Sequence, residues 1–292
     1  VEVMLARLIT QAPISYRFKK SLLKRLAPNV IRGHDFSRDF YGLCYRGNTA
    51  NAIDFQVFVN GAYEKYGLAL MRDQLAQRGP AHTAIAVDVG ANVGHHTLFL
   101  ATLCAQVHAF EPYPPVLARL RRQVADNHLD HVTIHDFGMG EVDAALPFYP
   151  PDQDNLGVGS FIEGHHQSNL PVNSLQIKQG DQVVLGLDLP RLDLIKIDVE
   201  GFEPEVLAGL KNTLARYQPA VLFEMGATTL SRSVGRDWGA VFPSGYQFQT
   251  FDRFNRETGA YRLQPYVWGA TTPSEMVLAT PSFPLAKGAV IA

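Results

Sequence analysis

The 292-residue chain holds only two cysteines, Cys44 and Cys104, and neither has a second cysteine or a histidine at a zinc-site spacing. A disulfide framework and a structural zinc site are excluded, and both thiols are expected to be reduced core groups. Long apolar runs are also missing. Charge, glycine or proline cuts the best candidates within about ten residues, short of the roughly 18 that span a bilayer. Nor is there an excess of one charge. Twenty-six Lys and Arg stand against 28 Asp and Glu, a formal net charge of -2, so no global field draws nucleic acid. The succession of a signal peptide is absent too, because Arg17, Lys19, Lys20, Lys24 and Arg25 follow the first apolar stretch instead of preceding it. A soluble, cytoplasmic protein is expected. No repeat shows at the periods of solenoids.

What is present is 46% hydrophobic residues with well-represented aromatics, the composition of a folded globular chain. Residues 1 to 27 read as two short amphipathic helices interrupted by Pro13. Their basic residues suit a solvated helix pair packed on its own domain, with contact to a membrane surface as the alternative. Aromatic runs from Phe36 and a helix over Ala62 to Leu75 complete a cap, residues 1–78, ahead of a main domain over 79–292.

After Pro80, short apolar runs alternate with helical stretches. Strands are predicted at 84–90, 106–112, 131–138, 192–199 and 220–226, with helices after the first, second and fourth. That alternation specifies parallel βαβ units in a doubly wound, mostly parallel sheet. The runs YQFQTFDR and SEMVLAT come without an intervening helix and predict a closing antiparallel hairpin, for seven strands in all.

The turn after the first strand reads Asp88-Val-Gly90-Ala-Asn92-Val-Gly94. Small, flexible residues there let the backbone bend and approach a ligand, while the following helix offers free N–H groups. A dinucleotide fingerprint fails, since Asn92 and His95 stand where its second and third glycines belong. An acid in strand one and glycines flanking Asn92 suit S-adenosylmethionine instead, with Asp88 supporting its amino end directly or through water. Glu111, 17 residues after Gly94, could accept hydrogen bonds from both ribose hydroxyls. Asp136, or the backbone from Phe137 to Met139, would lie near the adenine. Lys196, Asp198 and Glu200 would share one side of the fourth strand if the strand persists that far. A buried lysine needs a counterion, and Glu224 on the neighbouring strand is the candidate. Asp198 falls at the carboxyl end of the sheet, where open α/β sheets bind ligands.

The blocks VDVGANVGHHT, AFEP, GMGE, IKIDVEGFEPEVL and LFE, in this order, resemble the FkbM-type methyltransferase family over roughly residues 60 to 226. The resemblance implies a class I, Rossmann-like methyltransferase that uses S-adenosylmethionine. Its acceptor would be a small molecule or glycan, most often a hydroxyl on a sugar, polysaccharide or polyketide-type product. It implies cofactor contacts from Asp88, Gly90, Ala91, Asn92, Gly94, Glu111, Pro112, Asp136, Gly138 and Met139. NGAYEKYGL is similar to an upstream family segment and makes Tyr63 and Glu64 candidates for shaping the site. The chain departs from the family at His95 and His96 and at GMGE, which bears on the acceptor more than on the cofactor. A hydroxyl needs a base or a metal; Asp198 is the first candidate, then Glu200 and His95, and the two carboxylates could instead hold a divalent cation. Ser160 and His166, with His165 and Asn155, could face the acceptor. The competing functions are a non-catalytic cofactor-binding module and an NAD-linked oxidoreductase.

Overall fold

A computed structural model describes residues 1–80, 82–150, 159–164, 170–268 and 273–282. The chain opens with α1 (Glu2–Gln11), α2 (Tyr16–Leu26) and α3 (Pro28–Arg32), then a hairpin of β1 (Asp35–Phe40) and β2 (Leu43–Asn48), then α4 (Ala52–Asn60) and α5 (Lys65–Ala76). Pro13 falls between the first two helices, where its missing N–H and fixed φ do no damage. Asn51 starts α4 by accepting the backbone N–H groups of Ile53 and Asp54. The first three helices bury Ala6, Ile9, Leu23 and Val30 against Phe55, Phe58 and Val59 of α4.

The predicted alternation follows in β3 (Ile85–Val89), α6 (His95–Ala101), β4 (Gln106–Phe110), α7 (Pro114–Asp126) and β5 (Val132–His135). The segment that is irregular in sequence supplies β6 (Gly138–Gly140), β7 (Ala144–Phe148) and β8 (Val172–Gln179), a small separate sheet, and then α8 (Gly180–Gly186). The main sheet resumes with β9 (Leu194–Ile197), α9 (Glu203–Gly209), α10 (Lys211–Tyr217), β10 (Ala220–Met225) and α11 (Ala227–Ser233). It closes with β11 (Tyr246–Phe254), β12 (Tyr261–Pro265) and β13 (Ser274–Pro281).

The main sheet runs β12-β11-β13-β10-β9-β3-β4-β5, parallel from β10 to β5 and antiparallel from β10 to β12. Among the described residues it therefore has eight strands, not seven. The extra one, β12, pairs only with β11 at the edge and is mostly exposed, so it lacks the apolar run that marks a buried strand. Alternation along β3, β9 and β10 sends Ala86, Leu194 and Leu222 to the side covered by α5 and α6, and Val87, Ile195 and Phe223 to the side packed by α9 and α10. The chain winds outward from β3 through β4 to β5, then crosses back to β9 on the other side of β3. This reversal opens a crevice beyond the carboxyl ends of β3 and β9.

The β1–β2 hairpin and α4 are tied to α7. The fully buried Asp54 carboxylate accepts the Tyr45 hydroxyl at 2.7 Å, the Asn48 backbone N–H at 2.9 Å and the Arg119 guanidinium at 2.5 Å. Gln123 of α7 and Asn127 just after it bond the open edge of β2 at Arg46 and Cys44, which satisfies backbone groups a lone hairpin would leave bare. Cys104 is buried, and burial pushes its thiol up to about 12; both cysteines are free. Among the described residues no helix is long and apolar enough to cross a membrane.

Candidate active site

Two cavities meet at the crevice between β3 and β9. The first, about 590 Å³, has an aromatic and apolar wall that includes Tyr113, Met139, Phe148 and Phe161, with Glu111 as its buried acid. The second, about 1160 Å³, is polar and includes Tyr63, Glu64, His95, His96, Lys196 and Glu224. Gly90, Asn92, Asp198 and Glu200 line both.

Gly90 makes that junction possible. At φ +77°, an added Cβ would stand 1.9 Å from the Asp198 carbonyl oxygen, so the turn after β3 and the end of β9 approach more closely than any side chain allows. Asn92 and Glu200 also hold positive φ, 51° and 53°, and Glu64 does so at 43°. Strained backbone at three residues facing the same space is the pattern of a functional site rather than of a connecting loop. Glu200 is held there partly by Ser160, whose buried hydroxyl donates to the Glu200 carbonyl at 2.6 Å. Ser160 is thus placed as a support for the Glu200 backbone.

Glu111 is 7% exposed. Its two oxygens accept the backbone N–H groups of Asn92 at 3.0 Å and Tyr113 at 2.9 Å. Burial pushes its carboxyl up to about 7, against the opposing pull of those two N–H groups and of Lys196. Each oxygen keeps a second acceptor direction for a ligand hydroxyl.

Asp88 is fully buried and lines neither cavity. One oxygen accepts the Thr97 hydroxyl at 2.6 Å and the other lies 3.3 Å from the Lys196 ammonium. Lys196 reaches Asp198 at 3.4 Å and donates to the Gly90 carbonyl at 3.0 Å. Burial lowers its pKa, but Asp88 and Asp198 outweigh burial and raise it. The pairing of Lys196 with Glu224 expected from sequence is therefore corrected. The two side chains share a face of the sheet, but Lys196 lies opposite Leu222 on β10 and opposite Asp88 on β3, and the nearer carboxylates take it.

Glu224 joins Asp198 and Glu200 instead. Ligand oxygens of the three lie within 4.8 Å of one another, an arrangement able to hold a divalent cation. Burial first, then the charges of Asp198, Glu200, Glu203 and Glu64, push the Glu224 carboxyl well above the usual carboxylate range. The Tyr63 phenol is likewise held neutral, by burial and then by Glu64 and Asp198.

His95 lines the second cavity but is 2% exposed, and its Nε2 accepts the Tyr63 backbone N–H at 3.0 Å. Burial keeps both His95 and His96 well below the usual imidazole range. With its acceptor nitrogen engaged, His95 is a poor base and a good strut. Asp136 turns to solvent, 63% exposed and paired with Arg121 at 3.2 Å, while Gly138, Met139 and Pro112 line the first cavity. Ala91 lines the second cavity, and Gly94, at φ +92°, precedes α6 and packs on Leu120. His165, His166 and Asn155 lie outside the described residues.

Sequence reasoning missed the aromatic wall of Phe148 and Phe161, which comes from the irregular segment, and Arg256, which reaches the second cavity from the turn after β11. Neither carries a local signal, because tertiary folding alone brings them to the crevice.

The sequence profile described as Methyltransferase FkbM domain matches residues 88–253. The hexuronic acid methyltransferase AglP of Haloferax volcanii is 32% identical over 127 residues, covering 44% of this chain and 50% of that protein. The 2-O-methyltransferase NoeI of Sinorhizobium fredii is 26% identical over 147 residues, covering 45% and 59%. The chain thus spans between half and three fifths of the length of these two relatives. Among solved structures, Methyltransferase FkbM from Methylobacillus flagellatus KT is similar with a TM-score of 0.42 and 17% identity, over 68% of this chain and 43% of that one.

Proposed function

Because this chain belongs to the FkbM methyltransferase family, we propose that it methylates a hydroxyl on a sugar-type acceptor, with S-adenosylmethionine as donor. The observation that carries this reading is the pair of cavities joined at Gly90, Asn92, Asp198 and Glu200, one apolar with a single buried acid and one polar and acidic. A two-substrate transfer needs such a junction. The relatives named for a hexuronic acid and for 2-O-methylation favour a glycan hydroxyl. In this reading residues 1–78 complete the acceptor side, since Tyr63 and Glu64 line only the polar cavity.

The residues present fit the donor. Aromatic and apolar side chains suit an adenine, the buried Glu111 carboxylate suits two ribose hydroxyls, and the Gly90 turn leaves room for close approach. When bound, S-adenosylmethionine would supply an electrophilic methyl on a sulfonium, whose methyl–sulfur bond breaks as the acceptor oxygen takes the methyl and leaves a neutral thioether. Asp88 acts at one remove, holding Lys196 and through it the Gly90 carbonyl and Asp198. Asp198, 28% exposed at the junction, is the group to receive the hydroxyl proton as the new C–O bond forms, with Glu200 second. Incubation with methyl-labelled donor and hexuronic-acid-containing glycans tests the reading. Label transfer is expected. Stabilisation by nicotinamide dinucleotides but not by S-adenosylmethionine would point to the oxidoreductase, and donor binding with no transfer across a broad acceptor screen to a binding module.

Glu111 gives a pH prediction. A protonated carboxyl cannot accept from two hydroxyls, so donor binding favours the carboxylate and releases the proton that burial has favoured. Affinity should rise with pH up to about 7 and then level off. Between pH 8 and pH 6 a loss of about tenfold is expected in calorimetry. Glu111→Gln should bind at least about tenfold more weakly than the native protein at pH 8 and lose the pH dependence. An unchanged profile in the folded variant would remove Glu111 from the donor site.

A second reading rests on the Asp198, Glu200 and Glu224 cluster: a divalent cation held there would bind the acceptor oxygen and lower its pKa. In that case chelation should reduce turnover by about tenfold or more, and added Mg²⁺ or Mn²⁺ should restore it. Turnover that survives exhaustive chelation leaves Asp198 acting alone.

A further inference from the structure

Charge is distributed very unevenly along the chain. Residues 1–32 contain seven basic residues and one acidic residue, a net of +6, against 19 basic and 27 acidic over the remaining 260, a net of −8. The near-neutral total conceals a basic cap on an acidic body. This cap also concentrates exposed apolar side chains. Met4 and Leu8 on α1 are 69% and 58% exposed, and Phe18 on α2 is 61% exposed.

Helix geometry sorts these residues. At roughly 100° per residue, Met4 and Leu8 lie about 160° to 200° around α1 from Ala6, the residue that packs against α4. Phe18 lies about 140° around α2 from the buried Leu23, next to exposed Arg25 and Ser21. Arg7, Arg17, Lys20 and Lys24 are exposed on the same two helices. Each helix therefore has a buried apolar side in the cluster with α4 and an exposed apolar position beside a cation, Met4 and Leu8 beside Arg7 on α1 and Phe18 beside Arg25 on α2, with Arg17, Lys24 and Lys20 about 100° to 160° further around α2.

We infer that the outward face of α1 and α2 binds an anionic lipid surface, with Met4, Leu8 and Phe18 entering the headgroup boundary and the basic residues meeting lipid phosphates. Charge complementarity and apolar exposure together select this occupant. A purely polyanionic partner has no use for outward Met4, Leu8 and Phe18, whereas amphipathic helices held at a bilayer need both features. The inference is independent of the methyl-transfer reading.

Co-sedimentation of the full chain with vesicles tests it. Binding is expected to vesicles of phosphatidylcholine containing about 30% phosphatidylglycerol, not to phosphatidylcholine alone, and should fall at least about tenfold as salt rises from about 50 to 300 mM. Substituting Met4, Leu8 and Phe18 together by glutamine should weaken binding about tenfold or more at unchanged melting temperature. Reversing Lys20, Lys24 and Arg25 to glutamate should abolish it. Absence of binding to anionic vesicles at low salt would overturn the inference. So would vesicle binding that ignores the triple glutamine variant, since a pure cation patch of that kind would serve tRNA or heparin equally, and competition by either polyanion would then identify the surface.

Discussion

Asp198→Asn is expected to lower methyl transfer by roughly 10² to 10⁴ while leaving donor affinity within a few fold. Asp198 follows β9 and lines both cavities, and in the proposed reading donor and acceptor meet at their junction. Asparagine preserves shape and can still accept from Lys196, but it cannot take the hydroxyl proton or neutralise a cation. A purely structural role predicts another result: the variant would lose stability through the weakened contact with Lys196 and keep its rate. Turnover and melting temperature measured on one preparation separate the two. Near-native turnover in a folded Asp198→Asn protein would pass the role to Glu200, which shares the junction and has the backbone strain of a held functional group.

Lys196→Met should destabilise the fold by about 3 to 5 kcal/mol, because it leaves the Asp88 carboxylate in the core without its cation. Thr97 would remain as its hydrogen-bond donor, which is too little for a charge removed from water. Removing the stranded charge as well should recover much of the loss, so the double variant Lys196→Met, Asp88→Asn should be more stable than Lys196→Met alone. Denaturant titration of the single and double variants gives the comparison. A single variant within about 1 kcal/mol of the native protein would show that the network is not a buried ion pair in solution.

Much of the scaffold was legible in the residues. Four of the parallel strands, β3, β4, β9 and β10, announce themselves as apolar runs because they are largely buried on both faces, and a doubly buried strand leaves little room for polar residues. The charged exceptions Asp88 in β3 and Lys196 in β9 were visible for that reason, and Asp198 stands just past the end of β9. The edge strand β12 was not, since three of its five residues are exposed and its pairing depends on β11. The small sheet of β6, β7 and β8 was hidden likewise, because its strands gain their partners from distant sequence.

By itself, the sequence determined the turn that admits a close backbone approach, the acid at the end of the second strand, and the family whose blocks these are. Periodicity and spacing are local properties, and each of these features lies within one element or one turn. Only the tertiary structure decided which charges meet. It gave Lys196 to Asp88 and Asp198 instead of Glu224, turned Asp136 to solvent, engaged the acceptor nitrogen of His95, and gathered Glu224 with Asp198 and Glu200. Strand register fixes such partners, and register follows from how all the strands pack together, a constraint that no single stretch of residues contains.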